Sequence, residues 1–286
     1  MTTAETPRAK VFEHTIHLDA PVADVWRAIS DGEELKRWFP TDARVKPGIG
    51  GSVFLSWGTA CEGEAPITLW EPGRALGWTQ AHASDKGAHV QISSQFFIQA
   101  DPERGGTVLK VVQSGFANGS RWDDMYDSIA NGWKFEFKSL RHYLSRHKGE
   151  SRGSLLNPIQ APMSVARAWR KLAAPAPRGL LKQGSLDGYI EGDFFEFTGP
   201  DDRVYRGIVE RSIPDRCFAG TVEWLDDALM RIEIERAGEN MSTPFFWLSV
   251  WGDKQAKVAS ICAAWSRAMR DVLGVGVGVS EQNVAT

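Results

Sequence analysis

The chain has 286 residues, of which 42% are hydrophobic and 24% charged, and a formal net charge of −3. That length suits two domains of ordinary size, and that balance suits a globular protein. Acids and bases are interspersed, so no basic excess marks a nucleic-acid or anionic-membrane surface, and no apolar run is long enough to span a membrane.

Residues 1–9 lack the apolar core of a signal peptide and read as a flexible lead-in. The segment VFEHTIHL then alternates, with Phe12, His14, Ile16 and Leu18 on one face of a half-buried strand. Asp19 is placed to cap the next helix, and Pro21 fits its first turn. Val22, Val25, Trp26 and Ile29 recur at helical spacing up to Asp31-Gly32, and Glu33 to Phe39 reads as a second short helix closed by Pro40. From Gly48 the pattern is one of strands, at 52–57, 65–70, 74–80, 88–100 and from 107, with turns at Glu71-Pro72-Gly73 and 101–106. Short connections between them predict an antiparallel meander rather than βαβ units. A long helix closes the first half, where Met125, Ile129, Trp133, Phe137, Leu140 and Leu144 form one stripe. Its first turns hold Asp123, Asp124 and Asp127 and its end holds Lys138, Arg141, His142, Arg146 and Lys148, a polarity that matches the helix dipole.

Residues 149–154 read as a linker. A helical stretch with Trp169 and Leu172 comes next, broken by the Pro-rich 173–179. Strands are expected at 192–197, 204–210, 217–224, 229–235 and 244–252, then a helix with Val258, Ile261, Trp265, Met269 and Val272 on one face. The Gly- and Val-rich tail has no amphipathic order and reads as mobile.

Two landmarks recur at one separation. Ala20-Pro21 and Ala161-Pro162 are 141 residues apart, as are Gly51-x-x-Phe54 and Gly192-x-x-Phe195. Pro72-x-Arg74 and Pro214-x-Arg216 are offset by 142, whereas Trp133 and Trp265 are offset by 132. The chain therefore reads as an internal duplication whose second copy has lost about nine residues between sheet and last helix, a hairpin being the expected place. Trp169 also lies two positions further past its Ala-Pro than Trp26 does, and the second copy has no Trp-Phe-Pro of its own.

The run HLDAPVADVWRAISDGEELKRWFP, then PGIGGSVFLSW, LWEPGRALGWTQ, TVLKVVQSGF and a closing helix with NGW resembles the START-like (SRPBCC) superfamily. Within it, the chain is most similar to the family named for homology to the heat-shock-protein-90 ATPase activator. The resemblance spans about residues 10–147 and implies an α+β helix-grip fold, a curved antiparallel sheet wrapped on a long helix with two short helices after the first strand. Residues 10–148 and 154–275 are the two expected copies, the second divergent and shortened, with 1–9 and 276–286 as flexible termini. Members of the superfamily include lipid and hormone binders, aromatic-polyketide cyclases, hydroxylase modules and co-chaperones.

No catalytic or metal motif emerges. His14 and His17 lie three apart on a strand and face opposite sides. The six histidines show no ligand spacing, and Cys61, Cys217 and Cys262 are too dispersed for a metal, which fits a reducing cytoplasm. Gly48-Ile49-Gly50-Gly51 leads into a strand, so it lacks the helix dipole of a phosphate loop. No cofactor is implied. The twelve tryptophans fit either a packed core or an aromatic-lined cavity. Trp57 and Trp78 on strands, Phe116 before the long helix, Trp133 and Phe137 on its stripe, and His14 on the first strand are the cavity candidates, with core packing the alternative for the set. The leading expectation is non-catalytic binding of a hydrophobic or aromatic small molecule in the first copy. A cyclase- or dehydratase-like enzyme acting on an aromatic precursor, with His14 as its titratable group, is one alternative. A co-chaperone-like or regulatory interaction module is another, and the composition leaves room for a protein partner or a fused pseudo-dimer.

Overall fold

The alternation at the start of the chain becomes strand β1 (Lys10–Leu18), in which Phe12, Ile16 and Leu18 are buried, His14 is half-buried, and Val11, Glu13 and Thr15 face solvent. A computed structural model of the chain describes residues 10–58, 62–83, 89–116 and 119–276. The expected flexible lead-in, Cys61 and all of the tail beyond residue 276 lie outside the described residues. The chain divides into two compact units, Met1–Glu150 and Ser151–Thr286.

In the first unit, α1 (Val22–Ser30) buries Val25, Ala28 and Ile29. Pro21 stands at its cap in an extended conformation, one residue before the first turn, and no side chain caps the helix, so Asp19 does not take that role. Asp31 ends α1 and caps α2 (Gly32–Leu35), its carboxylate accepting from the Glu34 amide at 3.0 Å. The second helix is thus shorter than the expected 33–39 and continues to Phe39 as turns. Six strands come after it: β2 (Asp42–Lys46), β3 (Ser52–Ser56), β4 (Glu62–Glu71), β5 (Ala75–Ala83), β6 (His89–Ala100) and β7 (Thr107–Phe116). β2 was not expected, because three of its five residues are charged and only Ala43 is fully buried. The sheet order is β1-β7-β6-β5-β4-β3-β2, all pairs antiparallel, so the first strand returns to lie beside the last and forms one edge. The stripe 125–144 lies on α3 (Ser120–His142) and on the π-helical turn Tyr143–His147 that extends it.

The second unit contains β8 (Arg152–Pro158), α4 (Val165–Leu172), β9 (Phe194–Thr198), β10 (Val204–Ile213), β11 (Cys217–Val222), β12 (Ala228–Gly238), β13 (Met241–Trp251) and α5 (Val258–Leu273). Its sheet order, β8-β13-β12-β11-β10-β9, repeats the first with one strand fewer. Residues 152–154, read from composition as linker, belong to β8 and pair with Ser249–Trp251. Small and polar residues serve in an edge strand as well as in a linker, which is why composition misled there.

Each unit is therefore an antiparallel sheet crossed by a long closing helix, an α+β helix-grip fold. The landmarks fall at equivalent places. The Gly-x-x-Phe pairs lead into β3 and β9, and the Pro-x-Arg pairs form the β4–β5 and β10–β11 turns. In both turns the arginine carbonyl accepts a bond from the strand after next, Ile98 N to Arg74 O at 2.8 Å and Ile234 N to Arg216 O at 3.0 Å. Those partners are 24 residues apart in the first unit and 18 in the second, so most of the lost length comes out of this hairpin. The second unit's sheet and helix meet in one apolar cluster. Trp265 stacks on Phe246 at 4.5 Å and donates its Nε1–H to the Tyr205 hydroxyl at 3.0 Å. No helix among the described residues is long and apolar enough to cross a membrane.

Candidate functional site

Between the sheet and α3 of the first unit the aromatic side chains touch in series. Trp57, half-buried, meets Phe39 edge-on at 5.0 Å, and Phe39 stacks on Trp133 at 4.9 Å. Trp133 meets Phe96 edge-on at 5.2 Å, and Phe96 lies 5.1 Å from Trp78. Such offset and edge-on pairs are the favoured geometries of aromatic rings. The indole N–H of Trp133 donates to Gln113 Oε1 at 2.7 Å, which satisfies both groups inside the core and ties the helix to β7. Phe116 stands apart. It packs with Ile92 and Trp122 in a smaller cluster and meets Tyr126 edge-on at 5.3 Å.

From Trp133 the series continues to Phe137 at 5.7 Å, and Phe137 stacks against the His14 ring at 5.7 Å and 22°. Here the rings give way to space. A partly open cavity of about 640 Å³ lies between β1 and the C-terminal half of α3, and both His14 and Phe137 line it. Its apolar wall is Ile16, Leu18, Phe137 and Leu144, and its rim carries Arg104, Lys134, Lys138 and Arg141.

The local sequence explains each wall. β1 is an edge strand, so one side of its backbone has no strand partner. Arg141 occupies part of that side, its Nη2 donating to the His17 carbonyl at 3.3 Å. Lys134, Lys138 and Arg141 are spaced by four and three residues and so share one flank of α3, with Phe137 among them and Leu144 following on the π-helical turn. The β6–β7 hairpin brings Arg104. Asp101 shapes that hairpin by accepting from the Glu103 amide at 3.0 Å and the Arg104 amide at 3.1 Å, and its other oxygen meets His17 Nδ1 at 3.1 Å. The Arg104 amide, with the Glu103 amide and His17, holds the Asp101 carboxyl below the usual carboxylate range. Gly106 closes the hairpin at φ +74°, where a Cβ would come within 2.4 Å of the Leu18 carbonyl oxygen.

Four of the six sequence candidates (Trp57, Trp78, Trp133 and Phe137) thus belong to one aromatic series, His14 joins its end, and Phe116 is in a separate cluster. His14 and Phe137 line the cavity. The cationic rim was not anticipated as a site. The spacing of Lys134, Lys138 and Arg141 was present in the sequence, but it is equally the spacing of a solvated helix flank. Among the described residues no three His, Cys, Asp or Glu side chains gather to hold a metal.

Residues 19–145 match the family described as Activator of Hsp90 ATPase homolog 1-like protein. No curated protein matches the chain. Among solved structures, a protein from Mesorhizobium loti is 23% identical with a TM-score of 0.42, over 49% of this chain and 99% of its own. The Aha1 dimer from Colwellia psychrerythraea is 18% identical with a TM-score of 0.42, over 49% of this chain and 99% of its own. The di-domain ARO/CYC protein BexL of the BE-7585A biosynthetic pathway is 13% identical with a TM-score of 0.42, over 93% of this chain and 96% of its own.

Proposed function

We propose that the first unit, whose residues 19–145 match the family described as Activator of Hsp90 ATPase homolog 1-like protein, binds a hydrophobic or aromatic small molecule without transforming it. The observation that carries this reading is the cavity of about 640 Å³ between β1 and α3, walled by Ile16, Leu18, Phe137 and Leu144. That volume lies within the roughly 300–1,000 Å³ typical of small-molecule sites. The driving force is burial of the ligand's apolar surface. At about 25 cal/mol per Å², burying ~250 Å² gives about 6 kcal/mol gross, before the cost of immobilising the ligand. That gross figure corresponds to about 40 μM, so after the cost a submillimolar to millimolar affinity is expected for a simple apolar probe. His14, half-buried and stacked on Phe137, adds a polar ring to the wall.

Fluorescence titration with hydrophobic probes tests this. Trp133 does not line the cavity but lies 5.7 Å from Phe137, which does, and is the indole used to follow it. The intrinsic emission of the chain should change on saturation, and a Trp133→Phe variant should lose a distinct share of that change. If the variant keeps the whole signal with unchanged affinity, the ligand is not held beside this helix.

A further inference from the structure

We propose that the molecule taken by the β1–α3 cavity is an amphipathic anion: an apolar body bearing a carboxylate, sulfonate or phosphate that meets Arg104, Lys134 and Arg141 at the rim. This rests on the cavity being a ligand site and adds the charge of the ligand. Charge pairing in the first unit supports it. Lys10, Lys36, Arg37, Arg44, Lys110 and Lys148 each meet a carboxylate. Arg104, Lys134 and Arg141, like Lys46 and Arg74, meet none among the described residues, and of these five only the first three line the cavity. The only carboxylate on its wall, Asp19, is not within ion-pair distance of any of them. This concentration of positive charge occurs in a chain whose formal net charge is −3.

The helix dipole does not account for it. Dipole stabilisation of a cation fades within the last turn of a helix. Arg141 is in that turn, but Lys134 lies eight residues before the end of α3, and Arg104 is on a hairpin. Because the cleft is partly enclosed, an anion there would meet these cations with less screening than at an open surface. Below the rim, half-buried Leu144 and the edge of Ile16 offer the apolar body its wall, and Leu18 and Phe137, each 1% exposed, stand behind it.

Two probes with the same rings separate the two parts of the proposal: anionic anilinonaphthalenesulfonate and neutral phenylnaphthylamine. The sulfonate should bind more tightly, and its affinity should fall as salt is raised. In the double variant Arg104→Glu/Lys134→Glu its affinity should drop about tenfold or more, the worth of a charge-assisted contact. The neutral probe should change less than about twofold. Both substituted side chains are exposed, and unchanged circular dichroism confirms that the variant is folded. If both probes bind equally and the variant treats them alike, the anion preference is wrong while the cavity reading stands. If the sulfonate preference survives in the double variant, the anion is held elsewhere and the proposal fails. If neither probe binds, the cavity reading itself fails.

Discussion

Trp133→Phe should loosen the first unit in a way that a second substitution partly repairs. The indole is 7% exposed, and Gln113, whose Oε1 accepts from it at 2.7 Å, is 8% exposed. The substitution removes the donor and part of the ring stacked on Phe39. A buried acceptor left without its donor costs about 1–3 kcal/mol, and the partial void adds about 1 kcal/mol. The expected loss is therefore ~2–4 kcal/mol. Hydrogen exchange of the β7 amides, residues 107–116, reads this as a fall in protection of roughly 30- to 900-fold. Adding Gln113→Leu removes the stranded acceptor, so the double variant should recover about 1–2 kcal/mol. If it exchanges no more slowly than Trp133→Phe alone, the bond from Trp133 to Gln113 is not what joins α3 to β7.

Burial pushes the thiols of Cys217 and Cys262 up to about 12, so only about one in ten thousand is ionised at pH 8. In a Cys61→Ser chain neither should react with a thiol reagent until denaturant is added, and labelling at the rate of a free thiol would contradict their burial. Gly106→Ala should destabilise by more than about 1 kcal/mol, because it combines a left-handed φ with a blocked Cβ position. A melting temperature equal to that of the parent would show that the hairpin relaxes around it. The Asp101 carboxyl loses its proton more readily folded than unfolded, so its contribution is complete above about pH 4 and disappears as the pH falls through the lower folded value. The Arg104 amide should stay protected at neutral pH and exchange faster, relative to its intrinsic rate, once the pH falls through that lowered folded value. Protection independent of pH would refute the Asp101 bond.

Periodicity made much of the fold legible. The stripe from Met125 to Leu144 and the alternation of β1 and β6 are patterns that burial imposes on sequence, so they can be read back from it. β2 and β8 escaped because each is short or polar and borders the sheet, where pairing does not demand an apolar run. The duplication was visible because the Gly-x-x-Phe and Pro-x-Arg landmarks lie at turns, whose backbone geometry restricts the residues allowed. The aromatic side chains were found as a set, since few side chains fill the space between sheet and helix. Sequence could not divide them into a packed series and the two residues that border the cavity. That division depends on ring distances of 5–6 Å set by partners such as Phe39 and Phe96. The rim was hidden for a different reason. Arg104 is thirty residues from Lys134 and reaches the same cleft only because the β6–β7 hairpin is folded by Asp101 and Gly106.

Native mass spectrometry of the freshly purified chain tests ligand binding most directly. A stoichiometric adduct of a few hundred daltons, or uptake of an added apolar anion, is expected. It should be lost on mild organic extraction and weakened in the Arg104→Glu/Lys134→Glu variant. A bare chain mass under all gentle conditions, with no uptake of either probe, would contradict a ligand site between β1 and α3.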